Sequence, residues 1–288
     1  MRGKVIVVTG ATSGIGQAAA EELAATGARI VLIARDRGRA AASLDGLRAS
    51  HPGIGNPGGE HTVHFADLSR LSEMKRVASE IAAAEPNIDV LINNAGGAFT
   101  RRRETEDGLE MTFALNHLAY FVVTLGLLDR LRASPPARIV NTSSMTYAGA
   151  SLDFDDLQSA KGYSGATAYA RSKLANVLFT RELARRLAGT GVTANCYHPG
   201  FVATRLGHQD GGISKIWGIS TSGALSPEEG AKTLLYLATS PEVAATSGEY
   251  FNRSRVERLS RNALDDAAAR RLWEESARIA GISAQAAC

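Results

Sequence analysis

The sequence predicts an α/β protein with a doubly wound parallel sheet that is covered by helices on both faces. Short apolar, β-branched runs alternate with alanine-rich segments of helical length through most of the chain. A glycine-rich turn joins the first apolar run to the first of those segments. The chain has 288 residues, of which 44% are hydrophobic and 21% charged, so one large core can form without disulfides or metals.

Seven strands and seven helices are predicted along the chain. The strands lie at residues 5–10, 29–35, 62–68, 88–96, 137–145, 192–200 and 247–251. The helices lie at residues 14–27, 36–50, 72–85, 114–131 and 167–189, from residue 227 onward, and at 265–279. Helical connections of this length imply parallel strands, and continuous apolar strands suit a sheet that is buried on both faces. We therefore interpret residues 1–288 as a single three-layer domain of the Rossmann type.

Composition disfavours several classes of function. The net charge is +3 and the charges are scattered, which disfavours nucleic acid as a partner. The two cysteines, Cys196 and Cys288, form no disulfide framework, and no metal-ligand cluster accompanies the six histidines. No signal segment is recognised before the first strand, and no apolar run is expected to reach the length of about 18 residues that spans a bilayer. We expect a cytoplasmic protein that binds neither a metal nor a membrane.

The turn after the first strand reads "TGATSGIG", from Thr9 to Gly16. Its glycines follow the spacing G-x-x-x-G-x-G, which permits a tight turn and lets a pyrophosphate approach the backbone closely. The start of the following helix would present free N–H groups and its positive dipole end to that anion. The loop therefore predicts a dinucleotide cofactor, and the residues expected to bind it are Gly10, Thr12, Ser13, Gly14, Ile15 and Gly16.

The end of the second strand indicates which dinucleotide is preferred. NAD binding commonly uses an acidic residue there to hold the ribose 2′-hydroxyl. This chain has Arg35, a planar and permanently charged group that can pair with a 2′-phosphate. Asp36 follows it and could instead reach the ribose. NADP(H) is therefore the preferred cofactor, with NAD(H) as the alternative.

The stretch "GATAYARSK" contains Tyr169 and Lys173, which are four residues apart and so share one face of a helix. By itself this spacing favours an ordinary surface aromatic and its neighbouring cation. Next to a bound dinucleotide, the same pair suits a tyrosine that exchanges a proton with a substrate. A nearby cation would lower the pKa of that tyrosine from its ordinary value of about 10.

Several motifs support the second interpretation because they occur in one order along the chain. They are "TGATSGIG", Asp67-Leu68, "NNAG" at residues 93–96, Asn116 in "LNHLAYF", "NTSS" at residues 141–144, "YARSK" at residues 169–173 and "HPG" at residues 198–200. On this ordered set the chain resembles the short-chain dehydrogenase/reductase family over nearly all of its length. The stretches "LNHLAYF", "YARSKLANVLFTRELARRL", "CYHPGFVATRL" and "LSPEEGAKTLLYLATSPEV" look most like the retinol-dehydrogenase-like branch of that family.

The resemblance implies roles for the matching residues. The catalytic residues would be Asn116, Ser144, Tyr169 and Lys173, with Ser143 a less favoured alternative to Ser144. The cofactor contacts after the glycine loop would be Asp67, Leu68, Asn94, Ala95, Gly96, Tyr169, Lys173, Pro199, Gly200, Val202 and Thr204. Asn93 would support the sheet and, with the backbone up to Gly96, line the cofactor cleft.

These roles suit hydride transfer between an alcohol and its carbonyl. The cofactor supplies the hydride chemistry, while the protein orients the substrate and manages the proton. Ser144 would hold the substrate oxygen near Tyr169, which gives or takes the proton. Lys173 would lower the pKa of Tyr169 and reach the nicotinamide ribose, and Asn116 would hold a water on the route of the proton to solvent.

The substrate site is expected to have an apolar lining. Two insertions are predicted beside it, at residues 145–166 and 205–226, and the second is interpreted either as a lid or as a loop with a short helix. The candidate lining residues are Phe99, Phe154, Ile213, Ile216 and Trp217. Of these, Phe99 and Trp217 are, together with Ser144, the predicted substrate contacts. Tyr147 and Tyr163 rank below Tyr169 because neither has a lysine four residues later, and they are candidate substrate contacts.

One basic run, at residues 101–103, is followed by the acidic residues Glu104, Glu106 and Asp107. Charges of both signs in close succession are typical of a solvated loop. We favour that interpretation over a binding site for an anionic ligand.

The sequence thus predicts an NADP(H)-dependent oxidoreductase that interconverts a hydrophobic or aromatic alcohol and its carbonyl. A nucleotide-sugar epimerase is a weaker alternative, because the glycine motif of those relatives resembles G-x-x-G-x-x-G whereas this chain has G-x-x-x-G-x-G. A redox-sensing regulator that binds NADP(H) without turnover is a second alternative, although this chain keeps the tyrosine and the lysine. The resemblance also suggests a homodimer or homotetramer that is formed through residues 112–131 and 167–187.

Overall fold

The computed structural model of the protein describes residues 1–49, 59–202 and 223–285. The strands are β1 Val5–Thr9, β2 Arg29–Ala34, β3 Thr62–Phe65, β4 Val90–Asn93, β5 Ala137–Thr142, β6 Val192–His198, β7 Tyr250–Asn252 and β8 Arg255–Val256. The helices are α1 Gly14–Ala25, α2 Arg37–Ala49, α3 Leu71–Ala84, α4 Met111–Arg132, α5 Gly165–Arg186, α6 Pro227–Thr239 and α7 Asp266–Ala280. Each predicted strand and helix is present, with ends that differ by a few residues.

All eight strands belong to one sheet, in the order β3-β2-β1-β4-β5-β6-β7-β8. The strands from β1 to β7 pair in parallel, as predicted, whereas β8 runs antiparallel to β7. Arg253 and Ser254 join these last two strands, and their φ angles of 49° and 59° fit a tight hairpin turn. The turn lacks the usual Asn-Gly or Asp-Gly signature, so the sequence does not predict this eighth strand.

Strand β1 separates two hydrophobic cores, as expected for a three-layer domain. Val5 and Val7 face the core that α3, α4, α5 and α7 cover, whereas Ile6 and Val8 face the core beneath α1 and α6. The chain builds outward from β1 to β3 and then crosses back to β4 on the other side of β1. A crevice therefore opens at the carboxyl edge between β1 and β4, which is where such folds bind ligands.

Helix α4 contains a π turn at Ala114–Leu118 and is the one helix in the described ranges that is long and apolar enough to cross a membrane. The expectation that no apolar segment reaches that length is therefore wrong. In this fold, 78% of its most apolar window is buried inside the protein. Buried core helices meet the same criterion of length and composition, so the helix is weak evidence for a membrane span.

The helices predicted to form a subunit interface are already covered within the chain. Helix α3 packs along α4, and α7 packs along α5. Trp273 of α7 stacks on Phe179 of α5 with ring centroids 5.9 Å apart, and the guanidinium of Arg186 lies 4.3 Å from the centroid of the Trp273 ring. A homodimer or homotetramer stays a prediction, but these faces of α4 and α5 are not free to form it.

Gly165, the first residue of α5, lets the helix approach the segment after β4. A Cβ at this position would collide with the carbonyl oxygen of Phe99 and lie 3.1 Å from its carbonyl carbon. Although alanine is the better helix former, we expect Gly165→Ala to lower the free energy of unfolding in urea by about 1–3 kcal/mol. Gly149→Ala is the matched control, because nothing lies within 4 Å of its Cβ position. The control should change the free energy by less than about 0.5 kcal/mol, and the reverse ranking would contradict this packing.

Candidate active site

The glycine-rich loop between β1 and α1 has a backbone that side chains would disfavour. Gly10 and Gly14 have positive φ angles of 70° and 56°. A Cβ at Gly10 would lie 2.7 Å from the Cα of Ala95, and a Cβ at Gly16 would lie 2.5 Å from the carbonyl oxygen of Gly10. The loop therefore packs tightly against the segment that follows β4.

The "NNAG" segment after β4 holds this loop from the other side. The backbone N–H groups of Asn94 and Ala95 both donate to the hydroxyl of Thr9, at 2.9 and 3.0 Å. The side chain of Asn94 donates to the carbonyl oxygen of Gly10 at 3.2 Å. The side chain of Asn93 instead points into the protein and donates to Asn141 and Thr124, both at 2.9 Å. Asn93 thus supports the sheet, while the next residues line the crevice.

A cavity of about 540 Å³ occupies this edge of the sheet. The predicted cofactor residues that line it are Gly10, Thr12, Ser13, Gly14, Ile15, Arg35, Asp67, Leu68, Asn94, Ala95, Gly96, Tyr169, Lys173 and Pro199. The predicted substrate contact Phe99 also lines it. Of the predicted catalytic and cofactor-binding residues that are described, those that are not part of the lining are Gly16, Asn116, Ser144, Gly200 and Val202. Thr204, Ile213, Ile216 and Trp217 lie outside the described residues, as does most of the insertion at 205–226.

The segment after β6 explains why two of those residues lie off the cavity. Val202 is buried and pairs with Leu225 in an isolated parallel bridge. A Cβ at Gly230 would lie 2.6 Å from a methyl group of Val202, so helix α6 packs directly against this valine. Gly200 has a φ of 90°, and a Cβ there would lie 2.6 Å from a methyl group of Leu225. Both residues shape the segment behind the wall of the cavity.

Two arginines line one part of the cavity. Arg35 and Arg39 both belong to the lining, and Arg35 Nη1 lies 3.8 Å from Asp67 Oδ2. Asp36 instead caps α2: its Oδ1 accepts a hydrogen bond from the backbone N–H of Arg39 at 2.8 Å, and this bond lowers the pKa of the Asp36 carboxyl. The sequence interpretation includes Arg35 but not Arg39. The four-residue spacing of the two arginines across the strand–helix junction is the signal that could have revealed it.

Helix α5 places Tyr169 and Lys173 together in the wall of the cavity, where they are only 7% and 3% exposed. Lys173 Nζ donates a hydrogen bond to the carbonyl oxygen of Thr142 at 3.1 Å and lies 5.4 Å from the ring centroid of Tyr169. Ser144 forms a hydrogen bond with the side chain of Tyr169. The hydroxyl of Ser143 donates at 2.9 Å to the backbone carbonyl of Lys173 instead. Of the two serines, Ser144 is therefore the one beside the tyrosine hydroxyl.

Burial dominates the acid–base properties of both groups. It raises the pKa of Tyr169 well above its usual range, and the hydrogen bond with Ser144 lowers that pKa only in part. It also lowers the pKa of Lys173 to about 7. The expected lowering of the tyrosine pKa by Lys173 is not seen in this structure, in which desolvation of the phenolate is the largest effect and only the bond with Ser144 opposes it.

Asn116 lies in the π turn of α4 and is fully buried. Its Oδ1 accepts a hydrogen bond from the backbone N–H of Gly97 at 2.7 Å. Its Nδ2 donates to the carbonyl of Gly97 at 2.9 Å and to the hydroxyl of Ser172 at 3.0 Å. The side chain therefore ties the loop after β4 to α5. Its expected role in holding a water stays a prediction.

Phe99 provides an apolar part of the wall, and its surroundings include one arginine of the basic run at residues 101–103. The backbone carbonyl of Phe99 accepts a hydrogen bond from the hydroxyl of Tyr163 at 3.1 Å. The guanidinium of Arg103 lies 5.5 Å from the centroid of the Phe99 ring and also lines the cavity. Arg102 is half-buried and pairs with Glu104. Arg103 is exposed, as expected for a solvated loop, but it also belongs to the lining of the candidate site.

The other aromatic residues proposed as substrate contacts pack elsewhere. Tyr147 is buried edge-on against Tyr250, with ring centroids 4.7 Å apart. Phe154 lies beneath the guanidinium of Arg271, 4.5 Å from its ring centroid. Neither of these residues, nor Tyr163, is part of the lining of the cavity. Their expected contact with a substrate has no support from this geometry.

Further apolar lining comes from α4, and the sequence does not single it out. Met111 and Leu115 both line the cavity one helical turn apart. Leu115 is close to Gly97, whose Cβ position lies 3.3 Å from a methyl group of the leucine. The four-residue spacing of Met111 and Leu115, just before Asn116, is the sequence signal that could have identified them as lining residues. Within the described ranges, no group of three His, Cys, Asp or Glu side chains is placed to hold a metal ion.

Comparisons with known proteins establish the family. A family model described as short chain dehydrogenase matches residues 4–211. Human retinol dehydrogenase 14 is 43% identical over 295 residues, which cover 98% of this chain and 88% of that protein. Human retinol dehydrogenase 13 is 41% identical over 290 residues, which cover 98% and 86%. The chain therefore belongs to the short-chain dehydrogenase/reductase family and is similar to the retinol dehydrogenases within it.

Solved structures show the same fold. A protein of Mycobacterium paratuberculosis matches with a TM-score of 0.77 and 30% identity, over 97% of this chain and 94% of that chain. A short chain dehydrogenase of Burkholderia cenocepacia J2315, solved in complex with NADP, matches with a TM-score of 0.67 and 26% identity, over 87% and 96%. The predicted fold class and family are confirmed. The protein is an NAD(P)-dependent oxidoreductase that interconverts an alcohol and its carbonyl.

The buried lysine leads to a prediction about stability. Folding lowers the pKa of Lys173 from 10.5 to about 7, so the unfolded chain binds more protons than the folded chain between these values. Without added cofactor, the free energy of unfolding should rise through this residue by about 2 kcal/mol between pH 7 and pH 9. Lys173→Met should remove that rise from urea unfolding curves measured at the two pH values. An equal rise in the parent and the variant would contradict the burial of this amine.

Proposed function

We propose that this protein is an NADP(H)-dependent oxidoreductase for a hydrophobic or aromatic alcohol and its carbonyl, with Tyr169 as the acid–base group. The observation that carries the proposal is the meeting of three side chains beside one cavity, two of which belong to its lining. The side chains of Tyr169 and Ser144 are hydrogen-bonded, and the amine of Lys173 lies next to the same aromatic ring. A glycine loop that suits a dinucleotide borders the same cavity.

The cavity suits a nicotinamide dinucleotide. Gly10 and Gly16 leave no side chain where the loop is most crowded, and Gly96 brings its backbone close to the lysine amine. The Thr142 carbonyl is the hydrogen-bond acceptor of Lys173 Nζ within the described residues, so two further N–H groups can meet ribose hydroxyls. When bound there, the nicotinamide supplies or takes up the hydride.

The protein would handle the proton. Ser144 would donate a hydrogen bond to the substrate oxygen, and Tyr169 would give its proton to that oxygen during reduction or take a proton during oxidation. Burial alone makes the phenolate unfavourable, so this step needs positive charge nearby. Ribose hydroxyls that accept from Lys173 would favour its charged form. The ammonium and the oxidised cofactor would then lower the pKa of Tyr169 together.

The arginines beside the second strand support NADP(H) over NAD(H). Arg35 and Arg39 both line the cavity, and each can bind a 2′-phosphate with paired hydrogen bonds. Asp36, the residue that could favour NAD(H), is held by the backbone N–H of Arg39. The structural neighbour from Burkholderia cenocepacia was solved with NADP. Cofactor contacts of Gly200, Val202 and Thr204 belong to the same proposal.

The substrate class follows from the apolar lining and from the relatives. Phe99, Met111 and Leu115 line the cavity, and Met145, directly after Ser144, is 64% exposed. The two human relatives are named retinol dehydrogenases. We propose that this chain also takes an apolar alcohol or carbonyl, with residues 145–166 and 205–226, including Trp217, around the substrate.

The proposal includes a cytoplasmic setting and a small-molecule partner. Cys196 is buried and free, and two cysteines without a disulfide framework suit a reducing compartment. The net charge of +3 is too small to favour nucleic acid as a partner. The expected homo-oligomer would need a surface other than the faces of α4 and α5 that α3 and α7 cover.

Replacing the tyrosine tests the acid–base role. Tyr169→Phe should lower kcat for carbonyl reduction at least about 1,000-fold, because the proton donor is lost while the cavity keeps its shape. Binding of NADPH, followed by fluorescence titration, should change less than about threefold. Tyr236→Phe is the control, because that phenol is exposed and bound to Glu242, and it should keep parental turnover.

The assay needs a panel of apolar aldehydes, ketones and quinones, with small sugars for comparison. Turnover by Tyr169→Phe at the parental rate would show that another group handles the proton. Activity confined to the sugars would contradict the substrate class. Tight NADPH binding by the parent protein with no turnover on any substrate would favour the redox-sensing regulator.

The cofactor preference has its own test. Arg35→Ala and Arg39→Ala should each raise KM for NADPH about 10-fold or more, because a charge-assisted hydrogen bond contributes about 1.5–3 kcal/mol. KM for NADH should change less than about threefold, since NADH has no 2′-phosphate. Arg48→Ala, on the same helix and paired with Asp45, is the matched control. An unchanged ratio of the two KM values in both variants would contradict the assignment.

A further inference from the structure

One buried histidine has no part in the proposed chemistry. His117 lies in the π turn of α4 and is fully buried. It is surrounded by the rings of Phe113, Phe121 and Phe179, whose centroids are 5.1, 6.5 and 6.0 Å away. Its Nε2 lies 2.8 Å from the hydroxyl of Ser276 in α7. A polar ring in so apolar a setting needs a partner for each of its nitrogens.

The side chain that faces the other nitrogen is Asn176 of α5. His117 Nδ1 and Asn176 Oδ1 are both buried, and neither has a hydrogen-bond partner among the described residues. Burial lowers the pKa of His117 to about 4, and the neighbouring side chain of Asn176 raises it in part. The imidazole is therefore neutral at neutral pH. A proton on Nδ1 would pair these two atoms and leave Nε2 to accept from Ser276.

The amide nitrogen of Asn176 connects this pair to the lysine of the site. Nδ2 donates to the backbone carbonyl of Asn116 at 2.9 Å and to that of Thr142 at 3.2 Å. Lys173 Nζ donates to the same Thr142 carbonyl at 3.1 Å. Because both N–H groups of the amide are engaged, the orientation of Asn176 is fixed.

We propose that Asn176 positions Lys173 for the acid–base step, and that the imidazole of His117 holds Asn176 in place. The inference rests on the proposed function of the site. Asn176 and Lys173 share one carbonyl at the end of β5, so the amide sets where that acceptor lies relative to α5. The hydrogen bonds then continue through His117 to Ser276, so helix α7 supports the site from outside the cavity.

Removing the amide would take a donor from two buried carbonyls and leave space for water next to the lysine. Water there would solvate the ammonium, so it would no longer depend on Thr142 and could move away from the tyrosine. A displacement of about 1 Å at a reacting group can cost on the order of 100-fold in rate. Contacts between the cofactor and the glycine loop would be untouched. The expected signature is a loss in kcat rather than in cofactor binding.

The test compares Asn176→Ala with Thr124→Val. Thr124 is also buried, lies on the same helix as His117 and accepts a hydrogen bond from Asn93, but it is not part of the chain that ends at Lys173. Asn176→Ala should lower kcat about 10- to 100-fold with KM for NADPH within about threefold, and should move the midpoint of the pH profile of kcat by about one unit. Thr124→Val should leave kcat and the pH profile near those of the parent.

A double-mutant cycle tests the part played by the histidine. His117→Leu should lower kcat in the same direction, and the double variant with Asn176→Ala should be no slower than Asn176→Ala alone. His117→Gln keeps an N–H donor for the amide oxygen and should recover part of the lost rate. Additive losses in the double variant would overturn the link between the two residues.

Stability separates this inference from the proposed function. If the parent protein turns over no carbonyl, the proposed function fails, and unfolding then decides the inference. The free energy of unfolding should rise between pH 7 and pH 9, and Lys173→Met should remove the part of this rise that is due to the lysine. In the Asn176→Ala background that part should be at least about half smaller, because the solvated lysine titrates nearer its ordinary pKa. The inference would be overturned if the contribution of Lys173 to this rise were undiminished in Asn176→Ala. It would also be overturned if Asn176→Ala kept the kcat and the pH profile of the parent.

Discussion

The burial of the Lys173 amine is the constraint on which the rest of the site depends. A cation that loses water needs acceptors at fixed positions, and here the carbonyl of Thr142 provides one at the end of β5. Helix α5 must therefore pack against β5 with Lys173 level with the end of the strand. The same packing also sets the position of Tyr169, which lies one helical turn earlier. Burial moves the two pKa values in opposite directions, down for the lysine and up for the tyrosine. Burial therefore favours the neutral form of both groups, and positive charge on the lysine is needed to favour the tyrosinate.

The order of the strands brings the nucleotide loop to the same place. Because the chain crosses from β3 back to β4, the segments after β1 and β4 lie side by side, and Thr9 joins them by accepting from two successive N–H groups. Gly97, in the second segment, is held by Asn116, which in turn reaches α5 through Ser172. One hydrogen-bonded framework thus connects the glycine loop, the π turn of α4 and the helix that carries Tyr169.

Most of the fold and most of the residues of the cleft can be predicted from the sequence, because strong local sequence patterns determine them. Alternating apolar runs and helical segments locate every element except β8, whose turn at Arg253 and Ser254 has no glycine signature. The ordered motifs name the residues of the cleft. They do not reveal every residue that lines it, so Arg39 is not predicted and the basic run that contains Arg103 is interpreted as a solvated loop. The amphipathic pattern of α7 predicts a helix but not that this helix packs on α5, one of the two helices expected to form a subunit interface.

The central claim is that positive charge beside Tyr169 overcomes the effect of burial once the site is complete. An ultraviolet difference titration of tyrosinate in the NADP⁺ complex, parent against Tyr169→Phe, measures this directly. Burial raises the pKa of Tyr120, Tyr147, Tyr197 and Tyr250, so these phenols add little signal below about pH 9. We predict that the parent complex forms one additional tyrosinate below that pH and that the variant complex does not. Identical titration curves for the two complexes would contradict the account.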